Sequence, residues 1–257
     1  MRKILFTVLC LVIFLPVNAQ VMEVGISKNG AFNQIIDADT NMPVSNAKVS
    51  LPMQHYTTYT DQNGTFDLAA NINETSILSV EKNGYRPYSL TINEKANTQP
   101  MIISIEKSNL QDITITTGLF HLGDNNYSEA SANSTEFKAQ PVGEKFSKNF
   151  NLSPGSINKT NYLVIGSIIG IDTLMARAMN QNSITTSFST PPQVYFNGEK
   201  IAEIQLNGDN QKIKLPNRLI KNGTQNQITI KTGYNLQQTA YIDYDDIEIM
   251  NISIQSE

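Results

Sequence analysis

The chain has 257 residues, with 19 Lys and Arg against 23 Asp and Glu, one cysteine, two histidines and no tryptophan. This acidic balance argues against nucleic acid as a partner, because a phosphate backbone needs a basic face. His55, His121 and Cys10 are too few and too scattered for a Cys/His zinc site, and no apolar run reaches the roughly 20 residues of a transmembrane segment.

Residues 1–19 read as a signal peptide. Arg2 and Lys3 make a positive start, and Ile4 to Leu15 is apolar except for Thr7. Pro16 closes the run, and Val17 and Ala19 place small residues where a signal peptidase reads them, so cleavage is expected after Ala19. Cys10 lies inside the apolar run rather than at the cut, which excludes a lipidated cysteine there. The expected mature chain, Gln20 to Glu257, has no cysteine and so no disulfide. An exported chain of this kind suits the periplasm or surface of a bacterial cell envelope.

From there the texture is that of strands and turns. Gly30 to Asp37 and Ala47 to Leu51 are the first two runs, with Ala47, Val49 and Leu51 on one face. Asp61-Gln62-Asn63-Gly64 is a turn, because Asn and Gly tolerate positive φ. Phe66 and Leu68, Ile77 to Val80, Tyr88 to Ile92, and Met101 to Ile105 continue the pattern. Phe120 to Val142 is polar and poorly patterned, and reads as a boundary.

In the second half, Phe146, Phe150 and Leu152 share a face. Leu163 to Ile171 is apolar on both sides, as a central strand would be. Thr173 to Asn180 is the one helical stretch expected. Val194-Tyr195-Phe196 runs into Asn197-Gly198, a hairpin signal, and Asn207 to Asn210 is expected to turn again. Ile228 to Ile230 and Ile247 to Ile254 close the chain. The fold class expected is all-β, with two β-sandwich domains. The boundaries are a signal peptide at 1–19, a first sandwich at 20–107, a linker at 108–142 and a second sandwich at 143–257.

Residues of about 26–107 resemble the carboxypeptidase regulatory-like domain. The resemblance is carried by Asp37-Ala38-Asp39-Thr40, Pro43-Val44, Ala47-Lys48-Val49, Thr60-Asp61-Gln62-Asn63-Gly64-Thr65-Phe66 and Gly84-Tyr85. It implies a seven-stranded sandwich of transthyretin type that is a non-catalytic appendage of exported proteins, often in Bacteroidetes. Leu110 to Gly118 is similar to the segment that follows this module in TonB-dependent receptors, where it can add a strand to a TonB-like protein; here a plain linker strand is the favoured reading.

Residues 143–257 resemble a galactose-binding-like jelly roll, on Val194 to Ile201, Ile213 to Ile230 and Asp245 to Ile252. The resemblance implies a carbohydrate-binding type of fold. No catalytic residues are assigned, because no Ser-His-acid or paired-carboxylate motif stands out. Tyr234, Asn235, Tyr241 and Tyr244 are the candidate ligand-binding residues, since a sugar stacks on an aromatic ring and bonds to amides. Asp243, Asp245 and Asp246 are candidate ligands for calcium, where apolar residues change from even (Ile242, Tyr244) to odd (Ile247, Ile249) positions. No other cofactor is expected. The resulting expectation is an exported, non-enzymatic binding protein with a glycan as ligand. The alternative is a structural or accessory protein whose partner is an envelope protein.

Overall fold

The computed structural model describes residues 32–124, 137, 139–181, 188–237 and 241–257. The proposed signal peptide, with its cut at Ala19, lies outside the described residues.

The first seven strands form two sheets. β1 (Asn33–Asp37) lies between β4 (Thr65–Phe66) and β7 (Ile102–Ile105). β2 (Lys48–Leu51) and β5 (Ser76–Glu81) are the inner strands of the other sheet, flanked by β3 (Tyr56–Tyr59) and β6 (Tyr88–Ile92). Ile35, Val49, Leu51, Phe66, Leu78, Val80 and Ile103 fill the core between them. The Asp61–Gly64 turn forms as expected: Asp61 Oδ1 accepts from the Asn63 and Thr65 backbone N–H groups, and Gly64 takes φ 70°. Buried Asp37 ties several signature residues together. It accepts from Thr40 and from the Tyr85 hydroxyl at 2.8 Å, and meets Lys107 at 3.2 Å. These bonds hold its carboxyl well below the usual carboxylate range.

The remaining eight strands form two four-stranded antiparallel sheets. One has the order β13 (Gly208–Lys214), β10 (Asn161–Ile169), β15 (Ile247–Ser256), β8 (Ile113–Leu122). The other has the order β12 (Glu199–Glu203), β11 (Gln193–Phe196), β14 (Asn226–Lys231), β9 (Lys145–Phe150). Phe146, Leu163, Ile165, Val194, Phe196, Ile228, Ile230, Ile249, Ile252 and Ile254 make their shared core. β10 is an inner strand, as its two-sided apolar run requires. The Asn197-Gly198 hairpin is present, with both residues at positive φ. The helical stretch shortens to α1 (Leu174–Ala178), capped by the Thr173 hydroxyl, which accepts from Ala176 N–H. The turn expected at Asn207 to Asn210 instead opens β13 at Gly208.

Two further expectations meet a different structure. The stretch 108–142 was expected as a linker, yet Ile113–Leu122 is a ten-residue strand paired with β15. Its Ile113, Ile115, Phe120 and Leu122 pack into the second core. The alternation there is hidden in the sequence by Thr116, Thr117 and Gly118, where the strand changes face. The face change expected at Asp245-Asp246 also falls elsewhere, inside β15. There Ile247 and Ile249 point into the core before Asn251, and Ile252 and Ile254 after it.

The two sandwiches stack, so that four sheets lie in layers. Along β5, Leu78 and Val80 enter the first core while Ile77 and Ser79 face the second sandwich. Ile77, Ile169, Met250, Phe137 and Leu119 form a small apolar patch between them. Around it the contacts are polar: Ser167 Oγ donates to Ser89 Oγ at 2.9 Å, Asn251 Nδ2 to Ser79 Oγ at 3.2 Å, and Thr91 to the Asp209 carboxylate. β15 is therefore covered on both faces, and all ten of its residues are buried.

Candidate functional site

One end of the second sandwich gathers the residues singled out by chemistry. Several segments meet there: the stretch through α1, residues 188–190, and residues 233–237 and 241–246. Ser189 N–H donates to Asp172 O, Thr190 N–H to Tyr234 O, and Leu236 N–H to Phe188 O. Asn235 N–H donates to Asp243 O, and Asp245 N–H to Gly233 O. Gly233 is needed in this weave because a Cβ there would lie 1.8 Å from Thr190 O.

Of the four candidate ligand-binding residues, two face solvent. Tyr234 and Tyr241 are each about half exposed, at 49% and 50%. Tyr244 pairs with Tyr234 and is partly covered; burial and the neighbouring Glu144 raise its hydroxyl pKa. Asn235 is buried, with Nδ2 donating to Asp243 Oδ2 at 3.2 Å and Oδ1 accepting from Gln237 N–H. Its amide thus works inside the loop rather than toward a ligand.

The three aspartates are all buried, and each turns to different partners. Asp243 accepts from Asn235. Asp245 Oδ2 accepts from Asp172 N–H at 3.3 Å, and burial raises its pKa well above the ordinary range. Asp246 Oδ1 pairs with His121 Nε2 at 2.8 Å and accepts from Asp124 N–H at 3.1 Å. Among the described residues, no three carboxylate, imidazole or thiol groups form a set that could hold a metal ion. Burial raises the pKa of Asp246, opposed by His121, and pushes those of Asp172 and Glu248 up to about 7.

His121 falls in the stretch that the sequence pattern marks as a polar boundary, yet it is fully buried, its ring 4.9 Å from that of Phe137 and its Nδ1 3.1 Å from Ala139 O. Such a dyad is closed to substrate and serves to fasten the Ala139–Gly143 stretch against β8.

The exposed surface of this end has a character that reading for sugar chemistry missed. Leu174, Met175 and Met179 on and beside α1, with Leu236, Tyr241 and Ile242 on the opposite loop, are all 47–63% exposed. The signal was present in Thr173 to Asn180, where only Ala176 is used by the core. A five-residue helix that leaves two large apolar residues outside, with a third at its C-cap, is not built for solvent alone.

Residues 34–123 match the family model of the CarboxypepD_reg-like domain. The match covers the first sandwich and runs on through β8, which structurally belongs to the sheet of the second. This is a regulatory, non-catalytic domain type. No curated protein matches the chain.

Proposed function

We propose that this is an exported, non-catalytic binding protein of a bacterial cell envelope, and that the loop end of the second sandwich docks a protein partner. The observation that carries the reading is the exposed apolar set Leu174, Met175, Met179, Leu236, Tyr241 and Ile242, gathered on adjoining segments. A protein interface core is rich in aromatic residues and Met and poor in charge, which is the composition found here. A glycan at the same place has less support. Tyr234 and Tyr241 offer rings, but the Asn235 amide is taken up inside the loop, by Asp243 Oδ2 and Gln237 N–H. The galactose-binding-like reading of this sandwich rests on its two four-stranded antiparallel sheets and its strand motifs, and concerns the scaffold rather than the ligand.

The test is a pull-down from the host envelope with the mature protein, run beside a glycan array. The wild type should capture a partner that the Tyr241→Ser, Ile242→Ser double variant loses while its Tm holds. Retention of the same partner by the double variant, or array binding that depends on Tyr234 and Tyr241, would overturn the protein-docking reading. Sequencing of the exported protein should find Gln20 first; Met1 there would refute export by cleavage.

A further inference from the structure

His121 is held from both sides of its ring. It is fully buried, with Nε2 2.8 Å from Asp246 Oδ1 and Nδ1 3.1 Å from Ala139 O. Gly123 makes room for the carboxylate, because a Cβ there would lie 2.0 Å from Asp246 Oδ1. Ala139 opens a strap that runs to Gly143 along β8: Val142 N–H donates to His121 O at 2.9 Å, and Gly123 N–H to Gly143 O at 3.1 Å. Just before it, Phe137 is buried with Ile77, Ile169 and Met250 in the patch between the sandwiches, where Gly170 clears space for its ring. The strap thus begins on the seam that joins the two sandwiches.

These two contacts fix a proton count. A carbonyl oxygen only accepts, so the bond to Ala139 needs a proton on Nδ1. The bond between Nε2 and Asp246 needs a second proton, on the ring or on the carboxyl. A neutral imidazole carries one proton, so the dyad makes both bonds only as imidazolium with carboxylate or as imidazole with carboxylic acid. With one proton fewer, the ring keeps its charge-assisted bond to Asp246 and turns a bare Nδ1 toward Ala139 O. Two acceptors then face each other away from water, which is costly. The other titratable groups around the dyad are Asp124 at the exit of β8, and Asp245 and Glu248 at the start of β15; none of the described residues of 137–143 is charged. Each of these acids, once ionised, favours the imidazolium. Among the described residues Asp246 belongs to no set that could hold a metal ion.

We propose that His121 and Asp246 form a proton-controlled latch: two shared protons hold the Ala139–Gly143 strap on β8, and loss of one as the pH rises loosens it. The latch does not depend on protein docking at the loop end, so either assignment stands or falls without the other.

The experiment is amide hydrogen exchange, read by NMR on the full mature chain between pH 5 and pH 9 and corrected for the intrinsic effect of pH. The Val142 and Gly123 amides should lose about tenfold in protection across that range, the worth of one hydrogen bond of about 1.4 kcal/mol. The Ile230 amide of β14 is the reference for opening of the whole domain, and the strap should lose more than it does. Imidazole nitrogen shifts should follow the same transition, with Nδ1 of His121 giving up its proton; exposed His55 is the internal control. In Asp246→Asn the side-chain amide can donate to Nε2, so a neutral ring keeps its Nδ1 proton for Ala139 O and the strap should stay protected throughout. Glu248→Gln removes an acid that favours the imidazolium, so the strap should loosen at a lower pH than in the wild type. If Asp246→Asn does not fold, Glu248→Gln and the wild-type ring shifts decide the matter. Strap protection in the wild type that does not change with pH, loosening while Nδ1 stays protonated, loosening of Asp246→Asn like the wild type, or a transition of Glu248→Gln at or above the wild-type pH would each overturn the latch.

Discussion

Glu248 shows what a single buried group does to stability. It lies on β15 opposite His121, fully buried, and burial pushes its carboxyl from 4.5 up to about 7, with the His121 ring opposing. Between those values the folded chain keeps a proton that the unfolded chain has lost, so stability falls as pH rises through that window. The size is on the order of a few kcal/mol, at about 1.4 kcal/mol for each pH unit between those two values. Asp172, raised from 3.8 to about 7, acts with the same sign. Urea melts at pH 5 and pH 8 should therefore show a smaller loss in Glu248→Gln than in the wild type; equal losses would contradict it. A backbone position offers a second test. Gly64 sits at φ 70°, and a Cβ there would meet Ile35 O at 2.5 Å. Gly64→Ala should cost about 2 kcal/mol or more in a chemical melt, and an unchanged midpoint would show that the turn can yield.

At the scale of elements, three neighbouring strands change face at one level. β8 turns its core residues from odd (Ile113, Ile115) to even (Phe120, Leu122), on either side of Gly118. β15 does so at Asn251, from Ile247 and Ile249 to Ile252 and Ile254, and β10 at Gly166-Ser167, from Leu163 and Ile165 to Ile168. β10 and β15 keep one register throughout, because both shift together, while the register of β15 against β8 slips. An irregular residue is how a strand changes face. Asn251 supplies it with φ 55°, and Gly166 leaves room, since a Cβ there would come within 2.6 Å of Asn251 Cβ and closer to Ser89 Oγ. Asn251→Gly keeps the conformation and should cost only the Ser79 bond, about 1 kcal/mol, whereas Asn251→Val loses that bond and is strained besides, for about 2 kcal/mol more, as a β-branched residue is disfavoured at positive φ. Equal melting of the two would deny that the conformation matters. The switch in parity is written in the sequence of all three strands.

For the whole molecule, β8 decides where the chain can be divided. Fragment 143–257 lacks it and would strip Ile113, Ile115, Phe120 and Leu122 from the second core. At ~1.5 kcal/mol or more for each side chain, that loss of roughly 6 kcal/mol approaches the whole stability of a domain. Fragment 109–257 keeps the strand, and the face it uncovers sets polar Asn251, Ser253 and Gln255 around the small apolar patch of Ile169, Met250 and Leu119. Circular dichroism melts should show a cooperative transition for 109–257 and none for 143–257. A stable 143–257 would mean that β8 is dispensable.

Most of the strands, the turns at Asn63-Gly64 and Asn197-Gly198, and the all-β class were legible in the sequence alone. These follow from local rules: Val49 alternates with polar neighbours, Asn63-Gly64 and Asn197-Gly198 accept positive φ, and Leu163 to Ile171 is apolar on both sides. Asp37, Gly64, Phe66 and Tyr85 were legible as a set because each has a fixed local task that recurs in a family. Only the tertiary structure decided that β8 joins the second sandwich, that β15 is covered twice, and that the acids of 243–246 turn away from one another. It also decided that Tyr234 and Tyr241 stand beside exposed Leu, Met and Ile, and that His121 is held between Ala139 and Asp246. The physical reason is that a polar face carries the same pattern whether water or a second polar sheet covers it. Ser79, Ser89, Ser167 and Asn251 are polar positions along their strands, and they are buried because the two sandwiches meet over them.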